Sequence, residues 1–198
     1  MRRRWVRHET AGRRLGGGSG LSAAGPSAGP GRLCHGSASW SGDVKPYAQR
    51  IIPVIRARSP KAVILVGSST WSQDLHLAAG DPLEGENLMY TLHFYAGTHG
   101  AELRSRIDSA LSQGLAVFVS EWGTSRADGS GGVFLEESAV WLDFLDARGI
   151  SWCAWSLCDK DETSAVLRPG APAGGPWSGE DLSPSGQFVF SRFAHNGL

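Results

Sequence analysis

The chain has 198 residues, of which 41% are apolar and 19% are charged. This composition is typical of one globular domain with a sizeable core, and the chain is short for two. Basic and acidic residues number 19 each, so the formal net charge is zero. Because no field of one sign is present, we expect neither nucleic acid nor an anionic membrane surface as a partner.

Cysteines and apolar runs say little about the compartment. Cys34, Cys153 and Cys158 are odd in number and lack the short paired spacings of a zinc site or a disulfide-stapled secreted domain. No eighteen apolar residues run together, and the arginines at positions 2–4 are not followed by the apolar segment of a signal peptide. We expect no metal, no membrane span and no export signal, and the location stays open.

Residues 1–39 differ in composition from the rest of the chain. They are rich in Gly, Ala, Ser, Pro and Arg and have no sustained apolar period. Such a segment cannot bury enough surface to offset chain entropy, so we predict a disordered tail. A second region, residues 40–198, is predicted to be the folded domain.

The first predicted helix follows Trp40. Asp43 is the candidate N-cap, Pro46 suits the first turn, and Pro53 is expected to kink the helix or end it early. The helical spacing is carried by five apolar or partly apolar residues: Val44, Tyr47, Ala48, Ile51 and Ile55.

Four apolar segments then alternate with helical patterns. The predicted strands cover residues 62–66, 88–95, 115–119 and 150–157, and the first reads as a strand buried on both faces. Gly114 and Gly149 are placed to end two of the helices, and residues 188–193 suggest a closing helix. Strands that alternate with amphipathic helices predict an α/β protein with parallel pairing.

Polar and aromatic residues gather after the carboxyl ends of these strands, at 67–71, 93–95, 120–125 and 155–162. An α/β barrel has its active face at that end. Glu121 is the candidate for chemistry, because it stands where an apolar strand runs out into glycine and hydroxyl residues. The structural alternative is that Glu121 is an acid in an ordinary ion pair.

Eight tryptophans are unusual for this length. Trp141 and Trp152 lie inside apolar patterns and are predicted to pack in the core. Trp71 and Trp155 fall at strand ends instead, where an indole face could stack on the apolar face of a sugar ring.

Four ordered segments match a family that we recognise. They are residues 66–74 (VGSSTWSQD), 89–99 (MYTLHFYAGTH), 119–125 (VSEWGTS) and 150–157 (ISWCAWSL), the last followed by Lys160 and Glu162. Residues 40 to about 196 thus resemble the C-terminal half of the bacterial endo-β-1,4-glucanases (cellulases) of glycoside hydrolase family 5. The resemblance implies the C-terminal half of a TIM (β/α)₈ barrel, strands five to eight with their helices.

The resemblance also implies roles at a β-glucan site. Glu121 would be the nucleophile of a retaining hydrolysis, and Tyr95 and His93 would orient its carboxylate. The residues implied to bind the sugar are Trp71, Trp155, Lys160 and Glu162. Hydrogen bonds from neighbours such as Tyr95 would stabilise the ionised form that a nucleophile needs. No cofactor is implied.

Each of these residues has an ordinary structural reading as well. His93 could be a hydrogen-bonded core histidine, and His93 with His99 lacks a third ligand of suitable spacing for a metal. Residues 159–162 read as a solvated charged turn, and residues 129–132 as a flexible loop without the ending of a phosphate-binding loop.

One part of the expected machinery is not found. The family's acid/base glutamate lies in an Asn-Glu-Pro motif upstream of the first helix, where residues 33–39 contain no carboxylate. We therefore expect half a barrel from a truncated or frame-shifted gene, with doubtful activity and with homodimers formed through the open barrel edges. The alternatives are an inactive glucan-binding fragment and a truncation product without function.

Overall fold

A computed structural model describes residues 38–195. It contains one four-stranded sheet in the order β1-β2-β3-β4, and every neighbouring pair is parallel. The strands are β1 (Ile64–Val66), β2 (Leu88–Tyr95), β3 (Val117–Gly123) and β4 (Trp152–Ala154). Sequential parallel strands with helices between them confirm the predicted α/β class. Residues 1–37 of the predicted tail lie outside the described residues.

Within residues 38–195, six α-helical segments accompany the sheet: α1 (Lys45–Arg58), α2 (Ser69–Ser72), α3 (Leu75–Gly80), α4 (Ala101–Ser112), α5 (Leu135–Ala147) and α6 (Pro184–His195). The short α2 is a single turn with left-handed φ at three of its residues. The predicted ends of α4 and α5 are confirmed, since Gly114 and Gly149 follow them with φ of 87° and 65°. A left-handed residue at this position suits glycine. The sequence did not predict α2 and α3, which are too short to show a helical period.

The entry into α1 corrects two predictions. A π-helical turn (Trp40–Val44) precedes α1, and Ser39 caps it by accepting a hydrogen bond from the N–H of Gly42 at 3.1 Å. Asp43 is therefore not the N-cap of α1; its carboxylate accepts from the N–H of Ser39 at 2.8 Å. Of the kink or early end expected at Pro53, the early end is wrong, because α1 runs on to Arg58. The carbonyl that Pro53 leaves without a donor belongs to the exposed Gln49, where water can serve it.

The sheet has two unlike faces. Along β1, Ile64 and Val66 are buried, but Leu65 between them is 43% exposed, so the prediction of burial on both faces is wrong. Side chains alternate along a strand, and the helices cover one face only. Phe118 and Cys153, on the uncovered face of β3 and β4, are likewise incompletely buried. We call this uncovered side the inner face.

The core lies between the helices and the other face of the sheet. Three rings stack there: Phe94 of β2 lies 3.9 Å from Trp141 of α5 and 5.6 Å from Trp122 of β3, centroid to centroid. The prediction of a core position is confirmed for Trp141, which is fully buried. Trp152 is only partly buried and stacks on Phe193 at 5.1 Å.

The sheet ends at both sides without a further strand among residues 38–195. β1 pairs only with β2, and β4 pairs only with β3. β4 is shorter than the predicted 150–157, and its register against β3 shifts between Val119 and Trp122. Within the described part of the chain, no helix has both the length and the apolar character to cross a membrane.

Candidate active site

A β-bulge in β3 determines where Glu121 points. Leu92 pairs with Val119, but the next residue, His93, pairs with Glu121, so Ser120 is an extra residue in β3. Strict alternation from the buried Val119 would send the side chain of Glu121 into the core. The bulge turns Glu121 to the inner face and returns Trp122 to the core. Glu121 thus lies inside the strand, and not after its end as the sequence suggested.

The carboxylate of Glu121 has two close neighbours from β2. The hydroxyl of Tyr95 donates a hydrogen bond to Oε1 at 2.8 Å. Nδ1 of His93 lies 3.7 Å from Oε2, which is beyond hydrogen-bonding distance, while its Nε2 is 2.8 Å from Oγ of Ser120. Tyr95 therefore holds one oxygen directly, and Oε2 faces the imidazole without a hydrogen bond to it.

Burial sets the protonation of both neighbours. It raises the pKa of Tyr95, and the hydrogen bond to Glu121 raises it further, so the phenol remains a donor well above neutral pH. Burial lowers the pKa of His93, against the opposing charge of Glu121. The imidazole of His93 is therefore predominantly neutral near pH 7, and its contact with the carboxylate is not a full ion pair.

These side chains open into a cavity of about 630 Å³. Four of the seven predicted site residues line it together: Trp71, His93, Tyr95 and Glu121. The other lining residues are Thr70, Gln73, His99, Ala127 and Asp128. Two carboxylates, an exposed indole and several hydrogen-bonding groups together suit a polar ligand that also has an apolar face.

The remaining three predicted residues lie elsewhere on the same end of the fold. Trp155 follows β4 and its side chain is exposed, at 46% for the residue. Its backbone N–H donates to the backbone carbonyl of Trp122 at 2.7 Å. Lys160 and Glu162 line a second cavity, of about 710 Å³, between residues 129–133 and 167–169. After burial and Glu121, the charge of Glu162 is a smaller cause of the raised pKa of Tyr95.

Two of the five lining residues that were not predicted as site residues have titratable side chains, His99 and Asp128. His99, which the sequence suggested only as a rejected metal ligand, accepts the N–H of Tyr95 at Nδ1, 2.9 Å away. Asp128 accepts from both the N–H and the hydroxyl of Ser130, and these bonds lower its pKa. The only sequence signal for Asp128 is the turn composition of residues 126–131. Across residues 38–195, no three His, Cys, Asp or Glu side chains are grouped as metal ligands would be.

The turn that carries Trp71 is strained. Thr70, Trp71 and Ser72 have φ of 52°, 49° and 63°, the left-handed region that residues with a Cβ avoid at about 1–2 kcal/mol each. Trp71 is nevertheless 61% exposed at the cavity. A conformation of this cost persists only where surrounding contacts enforce it.

Comparison with known proteins identifies the family. The family model for cellulase (glycosyl hydrolase family 5) matches residues 31–161. Endoglucanase A of Evansella cellulosilytica is 58% identical over 150 residues, which are 76% of this chain and 31% of that protein. An endoglucanase of Clostridium saccharobutylicum is 54% identical over 155 residues, 78% of this chain and 35% of that protein.

Solved structures show the same relationship. Cellulase Cel5C_n superposes with a TM-score of 0.75 at 49% identity, over 80% of this chain and 48% of that one. The catalytic domain of Thermobifida fusca endoglucanase Cel5A superposes with a TM-score of 0.74 at 36% identity, over 80% of this chain and 54% of that one. The chain thus spans about a third of the curated relatives and about half of these solved chains, and its four-stranded sheet is part of a TIM barrel. The chain belongs to the cellulase family, glycosyl hydrolase family 5.

Proposed function

We propose that this chain carries the nucleophile side of an endo-β-1,4-glucanase site, with Glu121 as the nucleophile of a retaining hydrolysis. The observation that supports this most is the position of the Glu121 carboxylate. One oxygen is held by Tyr95 in an open cavity, and the exposed indole of Trp71 stands in the same cavity wall. A structural acid in an ordinary ion pair would not need this combination.

The chemistry follows from the two unlike oxygens of Glu121. Oε1 is engaged by the hydroxyl of Tyr95, whereas Oε2 is 3.7 Å from His93 and is available to attack. In the first step Oε2 bonds to the anomeric carbon and the glycosidic C–O bond breaks, its electron pair leaving with the departing sugar oxygen. That oxygen takes a proton from an acid, and water later hydrolyses the glycosyl-enzyme ester.

The substrate in this proposal is cellulose or a related β-glucan. Trp71 and Trp155 present exposed indole side chains on which glucose rings stack, and Lys160 and Glu162, in the second cavity, hydrogen-bond sugar hydroxyls. One structure of the Thermobifida fusca relative contains cellotetraose, which supports a glucan chain as the ligand.

A retaining hydrolase also needs a second carboxyl group about 5–5.5 Å from the nucleophile. Asp128 lines the same cavity, but its hydrogen bonds to Ser130 lower its pKa, which is unfavourable for a proton donor. The sequence contains no Asn-Glu-Pro motif. Loss of a general acid costs about 10² to 10⁴ in rate, so turnover of polysaccharide by this chain is weak or absent.

The test uses a substrate that does not need the acid. Dinitrophenyl β-cellobioside has a leaving group that departs without protonation, so a chain with only the nucleophile releases dinitrophenolate faster than the uncatalysed reaction. Glu121→Gln abolishes this release, while the conservative Glu86→Gln, on the loop before β2, leaves it unchanged. Release that is equal in wild type and Glu121→Gln contradicts the assignment.

A second candidate function is glucan binding without turnover, and the exposure of Trp71 and Trp155 favours it. A sedimentation assay with insoluble cellulose separates the two. Binding that Trp71→Ala weakens, without any release from the activated cellobioside, supports a binding fragment. Neither binding nor release indicates a truncation product without function.

The open edges of β1 and β4 and the exposed inner face also support self-association. A second copy, related by a two-fold axis along the strands, brings β4 of each protomer beside β1 of the other. This arrangement covers Leu65 and the other apolar side chains of the inner face.

A further inference from the structure

Asp74 makes three contacts to the segments that surround Trp71. The hydroxyls of Ser69 and Thr70 both donate to its Oδ2, at 2.9 and 2.7 Å. Its Oδ1 accepts from Nη1 of Arg106 on α4, at 3.2 Å. The side chain of Asp74 is 16% exposed, so water competes little for these contacts.

These contacts fall on the strained turn. Both hydroxyl donors precede Trp71 in the chain, and Thr70 is itself left-handed. On the other side of Trp71, the hydroxyl of Thr91 in β2 donates to Oγ of Ser72 at 3.0 Å. The indole therefore stands between two attachments, one through Asp74 to α4 and one through Ser72 to the sheet.

The ordinary role of an aspartate at this position does not explain its contacts. Asp74 occupies the N-cap of α3, where such a side chain usually accepts a hydrogen bond from the first turn of the helix. No hydrogen bond from α3 to the carboxylate is present. Both oxygens are directed instead to the turn that carries Trp71 and to Arg106.

We propose that Asp74 is the positioning residue for Trp71, and that Arg106 fixes Asp74 from α4. This inference rests on the proposed function, in which Trp71 is a sugar platform. Without the carboxylate, the hydroxyls of Ser69 and Thr70 lose their common acceptor, and the turn relaxes towards the right-handed conformation that these residues favour. The indole then leaves the cavity wall, although Trp71 itself is unchanged.

The experiment follows the indole and the ligand separately. Protein labelled with 5-fluorotryptophan is studied by fluorine NMR, and the Trp71 signal is assigned by its loss in Trp71→Phe. In Asp74→Ala we expect this signal to shift or broaden while those of the core residues Trp122 and Trp141 stay in place. We also measure the affinity for cellotetraose by titration. Relative to wild type, the affinity of Asp74→Ala falls by the same factor as that of Trp71→Ala.

A double-mutant cycle makes the test specific. Because Asp74 acts through the indole, Asp74→Ala has no further effect on affinity in the Trp71→Ala background. Arg106→Lys, which keeps the charge, moves the Trp71 signal less than Arg106→Ala. The matched control is Asp108→Ala, because Asp108 is also on α4 but does not line the cavity, and its ion pair is with Arg148. This variant leaves the Trp71 signal and the cellotetraose affinity unchanged.

The possible failures are distinguishable. A Trp71 signal that is the same in Asp74→Ala and wild type overturns the inference, whatever the ligand does. A full effect of Asp74→Ala on affinity in the Trp71→Ala background also overturns it. If wild type does not bind cellotetraose, the proposed function fails, while the NMR comparison still decides whether Asp74 positions the indole. Should Asp74→Ala fail to fold, Ser69→Ala and Thr70→Val remove the same two hydrogen bonds singly, and a Trp71 signal unmoved in both contradicts the inference.

Discussion

Tyr95 on β2 donates a hydrogen bond to Oε1 of Glu121 on β3, at 2.8 Å. The two residues are not opposite each other in the strand register, since Glu121 pairs with His93 and Tyr95 pairs with Gly123. The phenol reaches diagonally along the inner face, and the absence of a side chain on Gly123 leaves room for its ring. This contact joins two of the four matched segments at one carboxylate.

The raised pKa of Tyr95 predicts how the tyrosines ionise. A free tyrosine loses its proton near pH 10, but burial and the bond to Glu121 hold the proton on Tyr95 above that value. Tyr95→Phe therefore leaves the phenolate absorbance of the folded chain unchanged around pH 10. After unfolding in urea, the same variant lacks one of the three tyrosine signals. Loss of phenolate signal from the folded variant near pH 10 contradicts the prediction.

The lowered pKa of His93 predicts a pH dependence of stability. Between its folded pKa and the unfolded value near 6.5, the unfolded chain binds more protons than the folded chain, so stability falls as the pH falls through this window. His99, whose pKa burial also lowers, contributes in the same direction. We measure the free energy of unfolding by urea titration at several pH values. Below pH 6.5 we expect this free energy to fall less steeply with falling pH in His93→Gln than in wild type, and the slope that remains includes the contribution of His99. An unchanged or steeper slope contradicts this.

Gly123 is predicted to accept no side chain. A Cβ there would lie 2.5 Å from Oγ of Ser164 and 2.7 Å from ring carbons of Tyr95. Gly123→Ala should cost about 1–3 kcal/mol of unfolding free energy by overpacking, and it pushes Tyr95 away from Glu121. The control is Gly80→Ala, at the exposed end of α3, where a Cβ meets nothing within 4 Å. Urea unfolding that ranks the two variants equally contradicts the prediction.

Self-association is predicted from the inner face. We expect light scattering at micromolar concentration to find dimers or larger assemblies of the wild-type chain. Leu65→Lys places a charge on the inner face and shifts the population towards monomer. The control is Val54→Lys on the exposed side of α1, which leaves the assembly unchanged. A stable wild-type monomer, or equal effects of the two substitutions, contradicts the prediction.

Much of this arrangement is visible in the sequence. Continuous apolar segments predict the strands, with β2 located to the residue, because these strands pack against helices over their length. Gly114 and Gly149 mark helix ends, since each has a conformation that suits glycine. The matched segments bring Trp71, His93, Tyr95 and Glu121 to one cavity, because the carboxyl ends of β1, β2 and β3 lie at one edge of the parallel sheet.

Other features depend on contacts that no local pattern records. The bulge at Ser120 follows from pairing against β2, and it alone decides that Glu121 faces the cavity. Leu65 is exposed because no helix of the described residues covers the inner face, and the apolar character of β1 does not reveal this. Pro53 remains inside α1 because its side of the helix is open to water. The place of Asp128 depends on a turn whose residues are ordinary loop formers.

The most direct test of the central claim is to trap the glycosyl-enzyme on Glu121. The reagent is dinitrophenyl 2-deoxy-2-fluoro-β-cellobioside, whose leaving group needs no acid. Its fluorine destabilises the cationic transition state, so the ester hydrolyses slowly and accumulates. We predict that peptide mass spectrometry finds the fluorocellobiosyl group on Glu121 of the wild-type chain and on no residue of Glu121→Gln. A label on another residue, or no label on a folded chain that binds cellotetraose, would contradict the claim.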